Sequence, residues 1–476
     1  MIMRNTFINL LIGSLLLSTV GCKDFLDLDP VSQIPGDMAI TSERDLQNLV
    51  VSMYNGIQSG SLYGSDLQLY GDLMVDDTQV EESQLSNFGT REIYQRASSI
   101  QLGLLRSTWS TAYRQINAAN TVIRTIDHNV LGEALAPNKK DQFRAEALFI
   151  RAFCHFELVR FWALPYNVDA RGSNDQMGIP YRTEATVSLD QDFNLARHSV
   201  EQVYRMALQD LDQAEAFFVL AGMTSSIHRS SERAANALKA RIKFMSGDYI
   251  GASTEADKVI NDNQFTLFDS ADGDPLLIPF QTEGFKRPRQ VIFQLVFTTF
   301  DHGLSGPYSQ LNNLPVFKSA DNDFAASFNP NDQRLTKWFL RNPLTGKARI
   351  KKYDKPQEVE FRNLPVIRLA EMHLIRAEAN MSPGGNGNGS DALESYNLVR
   401  KRAFGTNHIE ETSTNQLLEK IQFERRWEMC FENDRYHNAK RMKANLRDDV
   451  LYNDASLIFK IPQEEIAGND LIIQNP

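Results

Sequence analysis

A segment near the carboxyl end of the chain, residues 424–441, combines many chemically active side chains. Its eighteen residues, ERRWEMCFENDRYHNAKR, include five basic and four acidic residues, three aromatic residues, a cysteine and a histidine. Such a mixture could serve acid–base catalysis, nucleic-acid binding or internal ion pairing. The whole chain carries 60 acidic and 50 basic residues, and its net charge of -10 argues against a nucleic-acid partner.

Helical spacing gives this segment a structural interpretation. Phe423, Trp427, Cys430 and Phe431 recur at i, i+4, i+7 and i+8, which predicts a single apolar helical face. The charged residues would then flank that face and tie the helix to its neighbours through ion pairs. We therefore expect Trp427 to anchor the core. Cys154 and Cys430 also lie in helical patterns among aromatic residues, which predicts two free, buried thiols.

Other motifs give an enzyme little support. The eight histidines are far apart, and no H-x-x-x-H or C-x-x-C motif predicts a metal site. The segment HGLSGP at 302–307 lacks the second glycine of a nucleophile elbow. The acidic pairs Asp76–Asp77 and Glu81–Glu82 are candidate glycosidase carboxylates, a chemistry that needs two carboxyls about 5–10 Å apart. No cofactor and no metal are predicted.

The amino terminus predicts export. Arg4 precedes a mostly apolar run of about fourteen residues, which as a helix would be too short for the roughly 30 Å hydrocarbon core of a membrane. Residues 1–21 are typical of a signal peptide. They lead to STVGC, which resembles the lipobox of bacterial lipoproteins and implies lipidation of Cys22. Residues 22–40 would then form an extended leader that tethers a soluble body to a membrane.

Amphipathic helices dominate the rest of the chain. The first, capped by Thr41 or Ser42, has an apolar face of four residues: Leu46, Val50, Met53 and Ile57. Eight further patterns predict four helix pairs over roughly 109–126, 145–163, 198–220, 231–246, 249–261, 365–380, 391–403 and 414–433. Asp391 with Glu394 predicts a capping box, and the preceding SPGGNGNGS (382–390) a turn and not a phosphate loop.

Small residues indicate how these helices pack. Ala237 and Ala240 precede a break at Gly247, and Ala252 and Ala256 follow it. This helix–turn–helix pattern is typical of tetratricopeptide repeats, whose small residues let adjacent helices approach closely.

Two regions interrupt the helical pattern. Residues 59–100 predict loops with short pieces of structure, and residues 262–364 predict a large insertion with strands at RQVIFQLVFTT (289–299) and KARIKKYD. We predict a single mainly α domain over 41–476. It would be a tetratricopeptide-like helical repeat scaffold of about four helix pairs, carrying a large, loop-rich, partly β insertion.

Several segments together resemble one family. ERRWEMCFENDRYHNAKRM is similar to a pattern of the SusD/RagB family of outer-membrane lipoproteins of Bacteroidetes, E-R-R-x-E-x-x-x-E-x-x-R-x-x-D/N-x-x-R. Five more segments resemble the family in its order: GCKDFLDLDP, WSTAYRQINAANTVI, DQFRAEALFIRAFCHFELVRFWALP, PVIRLAEMHLIRAEA and IFKIPQEEIAGNDLIIQNP.

The resemblance implies a non-catalytic, lipid-anchored protein at the cell surface. Family members bind glycans, or peptides in some branches, and cap a TonB-dependent outer-membrane transporter of the SusC type. We expect this chain to bind an oligo- or polysaccharide and deliver it to such a transporter. A peptide or other nutrient is the alternative ligand. The sequence also leaves open a glycoside hydrolase and a scaffold that binds only proteins.

The resemblance also implies that ligand residues lie in the loops after the first helix and in the insertion. Aromatic and planar polar side chains there suit sugars: Asp76, Asp77, Asn87, Phe88, Arg91, Tyr94, Tyr308, Asn312 and Phe317. Trp338, in NDQRLTKW, is expected to be structural. The remaining three tryptophans lie on repeat helices, so a glycan platform would depend on tyrosine and phenylalanine.

Overall fold

We describe the protein from a computed structural model, which covers residues 40–78, 80, 90–168, 172–188, 191–268, 273–297, 308, 322–341, 343, 348–354 and 362–476. These residues form fifteen α-helices and four short β-strands. The helices are α1 (Glu43–Gln58), α2 (Asp66–Leu73), α3 (Arg91–Tyr94), α4 (Gly103–Asp127), α5 (Pro137–Trp162), α6 (Val200–Leu220), α7 (Glu232–Ser246), α8 (Tyr249–Ile260), α9 (Asn322–Ala326), α10 (Arg334–Lys337), α11 (Leu369–Met381), α12 (Gly389–Phe404), α13 (Leu417–Glu428), α14 (Asp434–Arg441) and α15 (Gln463–Gly468). The strands are β1 (Val291–Leu295), β2 (Phe339–Arg341), β3 (Ala348–Ile350) and β4 (Leu364–Arg368). None of the helices in this described part combines the length and the apolar composition needed to cross a membrane.

The helices stack in the order that the repeat pattern predicts. α4 packs on α5, α5 on α6, α6 on α7, and α7 on α8. α5 packs between α4 and α6 and is buried around most of its circumference, as its apolar residues on every face require. α1 packs against α4, with Ser42 as its N-cap and its predicted apolar face buried. The mainly α, tetratricopeptide-like fold is confirmed.

The turn between α7 and α8 follows the sequence closely. Gly247 ends α7 in the left-handed conformation, with φ of 84°, and the Asp248 side chain then accepts a hydrogen bond from the backbone of α8. The alanines predicted to permit close packing, Ala237, Ala240, Ala252 and Ala256, are all fully buried.

The chain leaves the helical stack after α8 to form the insertion, and it rejoins the stack at the neighbouring helix α11. α8 packs directly against α11 although the whole insertion separates them in sequence. At its base β1 pairs antiparallel with β4, from Val291 opposite Arg368 to Leu295 opposite Leu364. β2 and β3 form a second antiparallel pair. The predicted strands in RQVIFQLVFTT and KARIKKYD are therefore confirmed, although β1 is buried at all five positions and does not alternate.

Three predicted helix boundaries are wrong. The helix expected over 365–380 begins at Leu369, because the preceding β-branched run pairs with β1 as β4. Asn388, not Asp391, caps α12 by accepting the Asp391 backbone N–H. The expected helix over 414–433 ends at Glu428, since Phe431 and Asn433 adopt left-handed backbone angles that no helix continues through.

The face assigned to α13 is also wrong. Phe423 is 49% exposed and Trp427 is half-buried, whereas Glu424, Arg425 and Glu428 are buried. The buried face of α13 begins with Leu417 and Ile421 and is continued at the same 3–4 spacing by charged residues. The second expectation for this segment, that its charges tie the helix to its neighbours, is confirmed by the ion pairs they form.

Glu428 is the centre of these ion pairs. Its carboxylate accepts hydrogen bonds from Arg368 at 2.8 Å, from Arg334 at 3.1 Å and from Arg402. Burial alone would raise the pKa of Glu428, but the three guanidinium groups outweigh burial and hold it well below its usual value. Glu424 adds a second buried pair with Arg334, at 2.7 Å.

Two further expectations hold. Cys154 and Cys430 are free and buried, and burial raises the pKa of the Cys430 thiol to about 12. Trp338 is fully buried, and its indole N–H donates to the carbonyl of Leu276 at 2.9 Å, which confirms its structural role.

Removing the Glu428 carboxylate should destabilise the fold strongly. Glu428→Ala leaves three buried guanidiniums short of a partner, and Arg402 loses the carboxylate that it contacts. We expect a loss of about 3–5 kcal/mol in the free energy of unfolding, measured by urea denaturation. Glu419→Ala, at an exposed position of the same helix, should change it by less than about 0.5 kcal/mol. Equal effects of the two substitutions would contradict the role assigned to Glu428.

Candidate ligand-binding site

A polar pocket of about 790 Å³ opens beside the segment that follows α2. Its walls are Asp76 and Thr78, residues 94–96 at the end of α3, and residues 445–449 beyond α14. The last wall is a tight turn, closed by an antiparallel bridge between Leu446 and Val450. The turn near the carboxyl end of the chain therefore meets two segments from its amino-terminal part.

Asp76 is fixed from behind by two arginines. Arg435 donates to both of its carboxylate oxygens, at 3.1 and 3.0 Å, and Arg426 donates to one at 2.9 Å. Burial would raise the pKa of Asp76, but the hydrogen bonds and charges of these arginines outweigh it and hold the pKa below its usual value. Asp76 is thus an ionised acceptor in a defined orientation.

Asp77 is buried directly behind the pocket wall. Its Oδ1 accepts from Arg426 Nε at 2.8 Å. Here burial outweighs the arginine, so the pKa of Asp77 is raised, and the nearby charge of Asp76 raises it further. The two neighbouring carboxyls thus have pKa values shifted in opposite directions by their surroundings.

Tyr94 and Arg447 form a second part of the wall. The Arg447 guanidinium lies 3.7 Å from the centre of the Tyr94 ring and donates to the backbone carbonyls of Leu73, at 2.8 Å, and of Tyr94. The half-buried ring is therefore held in place by a cation on one side.

The turn at 445–449 has an unusual backbone. Asp448 and Asp449 are consecutive residues with left-handed φ angles of 62° and 56°. Arg96, itself left-handed, donates to Asp448 at 2.8 Å. Non-glycine residues rarely adopt this conformation, and such strain concentrates at functional sites. The strain presents both carboxylates to solvent at the rim of the pocket.

Among the described residues, several polar atoms in and behind the pocket wall are buried without a hydrogen-bond partner. They are Thr78 Oγ1, Arg96 Nη1 and Asp77 Oδ2. Thr78 is only 3% exposed. Buried polar groups are nearly always hydrogen-bonded, so unsatisfied ones in a pocket wall indicate a place where a ligand or water supplies the missing partner.

The predicted site residues have different locations. Asp76 and Tyr94 line the pocket, Asp77 lies behind its wall, and Arg91 is half-buried at the start of α3. Four predicted ligand residues and the lipidation residue lie outside the described residues: Asn87, Phe88, Asn312, Phe317 and Cys22.

Tyr308 does not fit its predicted role as a ligand-facing residue. It is 1% exposed, and its hydroxyl donates to Asp72 at 2.5 Å. The Asn433 backbone N–H donates to the same carboxyl at 3.3 Å. Burial raises the pKa of Asp72 to about 7 although these hydrogen bonds oppose it. Tyr308 therefore anchors the insertion to α2.

Sequence reasoning missed the wall made by residues 445–449 and by Arg96. Motif resemblance pointed to the loops after the first helix and to the insertion only. The sequence NLRDD, a charged run between two helical segments, was the one signal present, but its proximity to α3 depends on the tertiary fold.

A second cavity, of about 730 Å³, lies between α4, residues 181–186 and 191–198, and α15. Its wall residues are largely paired with one another, as in Arg106 with Glu464 at 2.8 Å and Trp109 Nε1 with Glu465 at 3.2 Å. None of the predicted ligand residues that the structure describes lines it. Among the described residues, no group of three or more His, Cys, Asp or Glu side chains could hold a metal ion.

Two family models match the chain. One, described as starch-binding and associating with the outer membrane, matches residues 24–244, and one described as the SusD family matches residues 329–453. Together they cover almost three quarters of the sequence.

Individual proteins are similar over nearly the full length. SusD-like protein P25 of Formosa agariphila is 24% identical over 90% of this chain and 88% of its own. A SusD superfamily protein of Bacteroides thetaiotaomicron has the same fold, with a TM-score of 0.79 at 22% identity over 92% of this chain and 100% of its own. A putative sugar binding protein of Bacteroides vulgatus gives 0.78 at 23% identity, over 92% and 99%.

The raised pKa of Asp72 predicts a pH dependence of stability. Between its unfolded pKa near 4 and its folded pKa of about 7, the folded protein retains a proton that the unfolded chain releases. The contribution of the Asp72 carboxyl to the free energy of unfolding is thus fully present below about pH 4 and is lost as pH rises to about 7.

Asp72→Asn should remove this dependence, because the amide stays neutral. We expect the variant to gain stability relative to the parent by up to roughly 1.4 kcal/mol per pH unit across that window. Urea unfolding at half-unit steps from pH 4.5 to 7.5 measures it, with the exposed Asp470→Asn as control. If the free energies of unfolding of Asp72→Asn and the parent differed by the same amount over this whole pH range, the raised pKa assigned to Asp72 would be contradicted.

Proposed function

Because the chain belongs to the SusD/RagB family, we propose that it binds an oligo- or polysaccharide in the pocket beside Asp76 and Tyr94 and passes it to an outer-membrane transporter. The family description, starch-binding and associating with the outer membrane, supports the ligand class and the location. The fold supports it as well, since one protein with this architecture is called a putative sugar binding protein.

One observation carries the assignment to this pocket. Two of the residues that the family resemblance selects, Asp76 and Tyr94, meet there with unsatisfied polar atoms of Thr78 and Arg96. An apolar ligand would leave those atoms without partners, whereas a hydroxyl group can both donate to an acceptor and accept from a guanidinium. A ligand rich in hydroxyls therefore matches the wall best.

The chemistry of the pocket favours binding over catalysis. Glycoside hydrolysis needs one carboxyl that donates a proton and a second that acts as base or nucleophile. Asp76 is held ionised between two arginines, and Asp448 is paired with Arg96. Asp77 has a raised pKa but lies 2% exposed behind the wall, away from a bound sugar. We therefore propose a binding protein without hydrolase activity.

The lipid anchor belongs to the same proposal. Acylation of Cys22 would hold residues 41–476, as one domain, at the outer membrane on the leader of residues 22–40. Two or more acyl chains anchor stably, and tethering a binder beside its transporter raises the local concentration of captured ligand. The direct packing of α8 on α11 supports a single domain, because the insertion shares its base with the stack.

Glycan binding should depend on Tyr94. Full-length protein purified in detergent is titrated calorimetrically against neutral malto-, cello-, xylo- and manno-oligosaccharides and against peptides of similar size. We expect at least one oligosaccharide to bind without being cleaved, and Tyr94→Ala to weaken it about tenfold, because an aromatic contact with a ligand contributes on the order of 1–2 kcal/mol.

Tyr166→Ala is the matched control, since Tyr166 is also half-buried but lies outside the pocket. It should leave the affinity unchanged. If only peptides bind, the glycan proposal is contradicted and the peptide alternative is supported. Release of sugar products would support the glycoside hydrolase instead.

The anchor and the transporter can be tested in the native host. We expect the wild-type chain to sediment with outer membranes, to carry acyl chains at Cys22 by mass spectrometry, and to co-purify with a TonB-dependent barrel protein. Cys22→Ala should release the chain from the membrane fraction. An unmodified Cys22 in a membrane-bound wild-type chain, or no barrel protein in the purified sample, would contradict that part of the proposal.

A further inference from the structure

The charges around the pocket are balanced. Among the described residues, four carboxylates and four guanidiniums lie in or directly behind its wall: Asp76, Asp77, Asp448, Asp449, Arg96, Arg426, Arg435 and Arg447. Their formal charges cancel, so the wall has no surplus of positive charge to attract an anionic ligand.

The guanidiniums are already engaged. From behind the wall, Arg426 binds Asp77 and Arg435 binds Asp76. Arg447 binds two backbone carbonyls. Arg96 binds Asp448, and its side chain is only 10% exposed. Its Nη1 is buried and has no hydrogen-bond partner among the described residues, and one such donor suits a neutral hydroxyl oxygen.

Two of the four carboxylates, in contrast, face outward. The side chain of Asp448 is 68% exposed at the rim, and Asp449 next to it is exposed and has no ion pair among the described residues. The left-handed backbone angles of Asp448 and Asp449 direct both side chains to the rim. A ligand entering the pocket therefore meets negative charge before it reaches any guanidinium.

Building on the proposed glycan-binding function, we infer that the pocket takes uncharged glycans and disfavours glycans that carry carboxylate or sulfate groups, with Asp449 as the main discriminating residue. A neutral sugar can donate its hydroxyl protons to the outward carboxylates. An anionic sugar would lose hydration without gaining a free cation, and it would approach like charges at the rim.

The test compares each malto-, cello- or manno-oligosaccharide with its counterpart oxidised to the carboxylate at C6, which keeps chain length and linkage. Calorimetry with the full-length protein should give about tenfold weaker binding of the oxidised form at low salt, since a like-charge contact near a protein surface costs on the order of 1–2 kcal/mol. Raising the salt to about 0.5 M should narrow the difference, because screening acts on the charged ligand alone.

Asp449→Asn should lower the ratio of the affinity for the neutral form to the affinity for the oxidised form about threefold or more, because it removes the like charge that opposes the oxidised form. Asparagine tolerates the left-handed backbone of this position, so the turn should be preserved. Glu133→Gln removes one exposed charge between α4 and α5 and should alter neither affinity. The inference would be overturned if oxidised glycans bound as well as the neutral ones, or if Asp449→Asn left the difference between the two affinities unchanged. Either result would leave the proposed glycan binding intact. Failure of every glycan to bind would overturn the proposed function and the inference with it.

Discussion

The buried carboxylate of Glu428 constrains much of the carboxyl half of the molecule. It joins Arg334 of α10, Arg368 at the end of β4 and Arg402 of α12, so a single side chain connects the insertion, its base and the last helix pair. Buried ion pairs stabilise only in good geometry and with every member present, which makes them effective at fixing the relative positions of elements. Glu428 lies in α13, and the same helix carries Arg426, which binds Asp76. The rear wall of the pocket therefore depends on the position of α13.

The helical scaffold could be predicted because its signals are local. Alanines at close contacts, a glycine at a left-handed C-cap and a serine N-cap each act within a few residues, and the pairs around Gly247 appear where the sequence predicts them. The face of α13 could not be predicted in this way. Hydrophobic periodicity assumes that charged residues face water, whereas Glu424 and Glu428 are buried by partners that are distant in sequence.

The site shows the same division between local and long-range information. Asp76 and Tyr94 follow from family resemblance and lie in the pocket, while Tyr308, selected by the same reasoning, is committed to Asp72 in the interior. Nothing in the residues around Tyr308 indicates that carboxyl. The turn carrying Asp448 and Asp449 was missed because its strain and its place opposite α3 are properties of the folded chain.

The adjacency of α8 and α11 has an evolutionary consequence. Since the chain departs from the stack after Ile260 and returns through β4, the whole insertion is attached at two neighbouring junctions. Recombination between related genes could exchange that insertion while leaving the repeat scaffold intact, because insertions at one surface point disturb few buried contacts. An exchanged insertion would need an arginine in the place of Arg334 to keep its ion pair with Glu428.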